Sequence, residues 1–177
     1  TEGSAAIIKF AEMKRHVVFI LVLCSVVMAL VACQSRFAYD HYRSVSIEGW
    51  NRTDTLDFIV GRIPSGNYDM SVGFRATSEY PYKELGFDIT CSVYATGRNK
   101  PDRAPKAKTI HKRVKCSVFN DNGQLAGRGG ISTDDFIYSV GDLSVSSGDS
   151  VVVCIAHGMN QDIMPGITQV GLQLEKK

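Results

Sequence analysis

The chain has 177 residues, 20 basic and 18 acidic side chains, and a formal charge of +2. That balance gives no overall pull toward nucleic acid. With 44% hydrophobic residues and this length, the chain can bury one real core, and nothing in it calls for a second domain.

The first informative stretch begins at Met13, where Lys14 and Arg15 precede an apolar run from Val17 to Leu30. A basic start followed by an apolar segment is the pattern of an export signal. The run is roughly 15 residues, short of the roughly 20 that a membrane-spanning helix needs, so it reads as a processed signal. It ends in Leu30-Val31-Ala32-Cys33, which resembles the bacterial lipobox, with small residues before a cysteine whose thiol takes a diacylglycerol and whose freed amine is acylated. Cys24 is a poorer acceptor because bulky Leu23 precedes it. The expected division is therefore an upstream extension outside the native protein at 1–12, a lipoprotein signal at 13–32, a lipidated tether at 33–40 and one domain at 41–177. Removing Lys9, Lys14 and Arg15, and Glu2 and Glu12, leaves 17 basic and 16 acidic side chains, so the mature part is nearly neutral.

Beyond the tether the hydrophobic period is two almost everywhere. Weak strand signals at Tyr42 to Ile47 and Leu56 to Val60 come first. Tyr68, Met70, Val72 and Phe74 then alternate with Asp69, Ser71, Gly73 and Arg75, and Leu85, Phe87, Ile89, Cys91 and Val93 repeat the pattern. Ile110, Val114, Cys116 and Val118 form a third copy. After a weaker signal at Phe136 to Val140, the unbroken apolar run Val151 to Ala156 predicts a central strand covered on both faces. Val170, Leu172 and Leu174 close the series, opposite Gly171, Gln173 and Glu175. Turn signals at 64–67, 120–123, 146–149 and 164–166 separate these runs. About eight short strands with frequent turns predict an all-β fold, an antiparallel β-sandwich of jelly-roll or Ig-like type.

Three cysteines remain in this region. Cys91 and Cys116 share the inward phase of what would be neighbouring strands, so a cross-strand disulfide and two buried thiols are both open, the thiols being the commoner outcome. Gly97 to Lys115 is the one local charge anomaly, holding eight of the 17 basic side chains against Asp102 alone. Lys106 and Lys108 in it are candidates to meet anionic lipid or an acidic partner. The favoured alternative is a solvated hairpin whose lysines keep an edge strand from pairing.

Asp121-Asn122-Gly123 lacks the alternating ligands and closing glutamate of a calcium loop and reads as a hairpin turn. Gly127, Gly129 and Gly130 are followed by no lysine of a phosphate-binding loop. His41, His111 and His157 lie far apart with no zinc spacing, and no serine sits in a nucleophile elbow. The expectation is a protein without metal, cofactor or enzymatic machinery. Tyr80-Pro81-Tyr82 is a candidate partner-binding surface or a packed corner, and Trp50 a sugar platform or a core residue.

Taken in order, the lipobox, Trp50, Tyr80-Pro81-Tyr82-Lys83-Glu84-Leu85, Asp121 to Gly127, and Met164-Pro165-Gly166 through Glu175 resemble the gliding-motility lipoprotein family GldH of Bacteroidota, over essentially the whole mature chain. The resemblance implies an envelope lipoprotein associated with the gliding apparatus and, through it, type IX secretion, with no catalytic residue. The sequence departs from the family pattern at Asn160, where arginine is usual, at Gln169, where aspartate is, and at Gln173, again an arginine position. After Cys33, Gln34-Ser35-Arg36 lacks the acidic run that resembles a surface-export signal. The domain is therefore expected on the periplasmic face of the outer membrane, with other envelope proteins as partners. The rival reading is a glycan-binding lipoprotein of a polysaccharide-uptake system, which requires Trp50 to be an exposed platform.

Overall fold

The computed structural model describes residues 36–95, 107–129 and 132–177, together with Phe19. The lipobox with Cys33 and most of the basic connection, including Lys106, lie outside the described residues.

Eight long strands carry the fold, and each follows from the alternation in its own sequence: β1 (Phe37–Ser44), β3 (Leu56–Arg62), β4 (Gly66–Ala76), β5 (Glu84–Tyr94), β6 (Ala107–Ser117), β8 (Asp134–Val145), β9 (Ser150–His157) and β11 (Ile167–Lys176). Three two-residue strands join them, β2 (Trp50–Asn51), β7 (Arg128–Gly129) and β10 (Ile163–Met164). All pairings are antiparallel. One sheet has the order β1-β11-β4-β8-β7 and the other β3-β9-β5-β6, while β10 pairs with β2. The long strands repeatedly change sheet as the chain advances, so each sheet is completed only by segments distant in sequence.

The two apolar faces close on each other. Tyr68, Met70, Val72 and Phe74 from β4 face Leu85, Phe87, Ile89 and Cys91 from β5, all buried. Phe74 meets Phe87 across the gap at 5.4 Å between ring centres and stacks on Phe136 at 4.6 Å. The expected sandwich is therefore observed, with the four strongest strand signals in the predicted phase.

Three local expectations change. Strand β9 is central, flanked by β3 and β5, but its burial alternates. Val151, Val153 and Ile155 face the core, whereas Val152, Cys154 and Ala156 are only half-buried because no layer covers the outer face. Strand β1 begins at Phe37, inside the stretch expected as tether, and stops at Ser44, leaving Ile47 fully exposed in the following turn. Gln173, expected on a wet face, is 7% exposed. Its strand lies between β1 and β4, and its amide donates to the Asp40 carboxylate at 3.2 Å. Beside it, Tyr42 of β1 lies across Gly171 and Gly73, a paired couple whose missing side chains leave room for the ring. A Cβ on Gly171 would sit 2.7 Å from that ring.

Leu172, fully buried on central β11, tests this arrangement. Leu172→Ala should cost about 2 to 5 kcal/mol through lost transfer energy and an unfilled cavity. Gln173→Ala, on the opposite face with one amide hydrogen bond, should cost about 1 kcal/mol. Equal losses in denaturant titrations of the two variants would show that the phase of β11 is misassigned.

Candidate functional site

The connections β1–β2, β4–β5 and β9–β10 meet at one end of the sandwich, the end remote from Phe37. Short β2 and β10 bring Trp50 opposite Met164 there. The indole is completely buried, donates its N–H to the Asp54 carbonyl at 2.8 Å, and packs 5.9 Å from Phe87 and edge-on, 5.3 Å, from His157. A ring so enclosed cannot stack a sugar, and the platform reading loses its aromatic.

Tyr80 is equally a packed corner. It is 1% exposed, its hydroxyl donates to the Glu84 carbonyl at 2.7 Å, and burial pushes its pKa well above the ordinary 10.0. The turn at Pro165-Gly166 presses on it. Gly166 has φ +75°, and a Cβ there would lie 2.4 Å from the Tyr80 nitrogen. The Thr77 N–H donates to the Gly166 carbonyl at 2.8 Å. Tyr82 is half-buried, T-shaped to Tyr80 at 5.7 Å, and Pro81 alone of the three is exposed. The two sequence blocks most specific to the resemblance, Tyr80-Pro81-Tyr82 and Pro165-Gly166, thus contact each other, although more than eighty residues separate them in the chain.

Strand β6 carries the basic segment. It is the edge of its sheet, and Lys108 is exposed. Register places Lys108 beside Val93 and Lys112 beside Ile89, so both lysines stand on the inward phase at the open side of the sandwich. Inward charges on an edge strand obstruct pairing with another chain, which supports the edge-protecting reading of these residues. On the outward phase, Arg113 is held by Asp88 through Nε at 2.6 Å and a second nitrogen at 3.2 Å.

Cys91 lies opposite Ile110 and Cys116 opposite Leu85. Six residues of strand, about 20 Å, separate them along the ladder, well beyond the reach of a disulfide. Both thiols are free and buried, and burial pushes Cys91 up to about 11 and Cys116 to about 12. Among the described residues no group of three or more His, Cys, Asp or Glu could hold a metal ion. Asn120 organises the predicted hairpin turn. Its carbonyl accepts from the Gly123 N–H at 3.0 Å, and its side chain accepts from Asn122 and Gln124.

The buried imidazole at this end is His157, 3% exposed, with no partner in regular hydrogen-bond geometry at either nitrogen. Burial, and then the Arg52 charge, lower its pKa below the ordinary 6.5. The nearby backbone of Trp50 and Asp162 and the Asp162 carboxylate oppose that shift without cancelling it.

Compared with known proteins, residues 37–174 match the model of a family described as GldH lipoprotein. No curated protein matches the chain. Among solved structures, a 4-O-methyl-α-glucuronidase with specificity for decorated arabinogalactans is 12% identical. The alignment covers 82% of this chain and 18% of the enzyme, with a TM-score of 0.41. The structure of the infectious bursal disease virus Gx strain is 8% identical over 77% of this chain and 38% of that one, with a TM-score of 0.17. The chain thus spans well under half the length of either, and likenesses this distant carry no activity across.

His157 should make the domain acid-sensitive. Its folded pKa is depressed, so below about 6.5 the unfolded chain takes up a proton that the native state refuses. Its contribution is therefore complete above that pH and is lost as pH falls through the unfolded value toward the folded one. His157→Leu should flatten this limb of the stability curve. Trp50, the single tryptophan, reports the transition by fluorescence, and an unchanged pH dependence in the variant would count against the assignment.

Proposed function

Because the chain belongs to the GldH lipoprotein family, we propose that it is a lipid-anchored accessory protein of the bacterial envelope, attached through Cys33 to the periplasmic face of the outer membrane. It works without catalysis, binding other envelope proteins beside the gliding and type IX secretion apparatus. The observation that carries this reading is the family match over residues 37–174, which starts just after a lipobox ending at Cys33. The burial of Trp50 supports it over the glycan-binding alternative, since no aromatic platform remains at that position.

The anchor has a geometric consequence. Only Gln34, Ser35 and Arg36 separate Cys33 from Phe37, a reach of at most about 14 Å. The Phe37 end of the sandwich is then held at the bilayer. Tyr94 and Ala107, a register pair, belong to that same end: Tyr94 is opposite Ser150, which a four-residue turn joins to the end of β8. The sequence between them bears Arg98, Lys100, Arg103 and Lys106 against Asp102. Basic residues at an anchored end favour an anionic surface by about 1 kcal/mol each. Lys106 and Lys108 then assist the lipid, Lys108 in addition to obstructing the edge together with Lys112.

Cys33→Ala should abolish acylation and release the domain from washed membranes, since each buried methylene of an acyl chain contributes about 0.8 kcal/mol to retention. A variant with a cleaved signal that stays in the membrane fraction would overturn the anchor. Reversing Lys106 and Lys108 to glutamate should weaken binding of the lipidated protein to anionic vesicles at low salt, with the difference fading as salt screens it. Equal binding of variant and parent would remove the lysines from the membrane contact.

A further inference from the structure

A cleft of about 370 Å³ lies on the outer face of the β3-β9-β5-β6 sheet, at the end remote from Phe37. Its floor is largely backbone, edged by the Met159 side chain and the Asp88 carboxylate. Gly86 on β5 and Gly158, just after β9, lie side by side, the Gly158 N–H donating to the Gly86 carbonyl at 2.8 Å. Met159 straps the connection down, its sulfur accepting the Gly86 N–H at 3.3 Å. One wall is cationic: Arg113 and Lys115, two residues apart on the same face of β6, stand beside Asp88 and Gly86. The other wall presents the exposed amides of Asn160 and Gln161.

Arg113 is already aimed. Asp88 grips it from the side at two points, leaving part of the guanidinium fork open, and Gly158 makes room for that carboxylate, since a Cβ there would lie 3.0 Å from it. Lys115 has no ion-pair partner among the described residues. A fixed guanidinium, an unpaired ammonium and two amides around a floor built largely of backbone match a carboxylate carried on an extended chain, which approaches closely where glycines leave room. No aromatic ring lines the cleft, so a sugar ring has nothing to stack on. Two carboxylates oppose the cations, Glu84 at the cleft's margin and Asp88, which is already engaged by Arg113.

We propose that this cleft docks an extended acidic segment of a partner protein, with Arg113 and Lys115 receiving its carboxylates. The proposal rests on the accessory reading above and names the surface through which such a protein is held. The cleft opens at the end away from the anchor, where an envelope partner has access while the lipid remains seated.

The test uses the full lipidated protein in detergent and a fluorescent peptide of alternating glutamate and serine, with its glutamine counterpart as control. Anisotropy should show saturable binding of the acidic peptide alone. Arg113→Gln and Lys115→Gln should each weaken it about tenfold or more, the scale of one lost charge-assisted hydrogen bond. Glu84→Gln should tighten it, and Lys176→Gln, at the other end, should leave it unchanged. All four side chains are exposed, and circular dichroism verifies that each variant is folded. Absence of saturable binding overturns the proposal, as does binding indifferent to both cations. Binding of an oligogalacturonate at this cleft in place of the peptide overturns it too, by assigning the carboxylate to a glycan. None of these failures touches the anchor, which the Cys33→Ala fractionation tests separately.

Discussion

Two sheets that are each apolar on one face have to close on each other, and every other feature of the domain depends on that closure. Phe74 against Phe87, with Phe136 stacked behind, is its centre. These side chains come from three strands in two sheets, so the core forms only when distant segments have found their register. The same alternation that builds the core leaves an outer face on each sheet, and those faces are treated differently. On the five-stranded sheet Tyr42, Arg75 and the amides of Gln169 and Gln173 cover it. On the four-stranded sheet β9 stays half-open, and the cleft over Gly86 and Gly158 follows from that bareness.

A sandwich that does not close into a barrel has edges, and an open edge invites pairing with another chain. Each edge here is interrupted, two of them by a shift in register. Strand β3 carries a bulge between Ile59 and Gly61. Strand β1 shifts register between Phe37 and Tyr39. Strand β6 turns Lys108 and Lys112 inward. Beyond two-residue β7, the outer side of β8 is crossed by Tyr138, whose hydroxyl donates to the Ser117 carbonyl of the opposite sheet at 2.5 Å. The charge concentration at 107–115 is therefore first a feature of folding. Arg113 and Lys115, on the outward phase, are the part of it that edge protection does not use.

The sequence made the strands legible because burial at period two is a local signal, visible in Tyr68 to Phe74 or Leu85 to Val93 without knowing what covers them. What it could not convey was the number of layers. Val151 to Ala156 is as apolar as a strand buried on both faces, yet nothing lies over Val152 and Cys154. Gln173 reads as a wet residue, and its burial depends on β1, which pairs alongside from more than 130 positions away. The cleft was illegible for a similar reason. Gly86 and Gly158 are ordinary glycines until the β5–β9 ladder sets them side by side, and no spacing rule joins either to Arg113. The non-disulfide fate of Cys91 and Cys116 likewise needed the register, not the phase, of their strands.

Two of the blocks that carry the resemblance, Tyr80-Pro81-Tyr82 and Pro165-Gly166, hold the far end together. Tyr80 is wedged by Gly166 and Trp50 is paired to Met164, so neither of these buried rings is free to bind. A motif of this kind fixes geometry, so recognising it reveals the scaffold and leaves the contact surface to be found elsewhere. Of the three departures from the pattern that the resemblance implies, Asn160 lines the cleft and the other two meet polar neighbours on the five-stranded sheet. Gln169 accepts from Arg75, which also pairs with Asp135 at 2.6 Å and lies 5.1 Å over the Tyr42 ring. Gln173 reaches Asp40. At both places an amide occupies a site where a charge would form an ion pair with the same neighbour, and the hydrogen bond survives without it. Because exposed or half-exposed ion pairs contribute little beyond their geometry, this exchange leaves the sandwich intact. It changes the charge pattern of one outer face and leaves Tyr42 covering its two glycines.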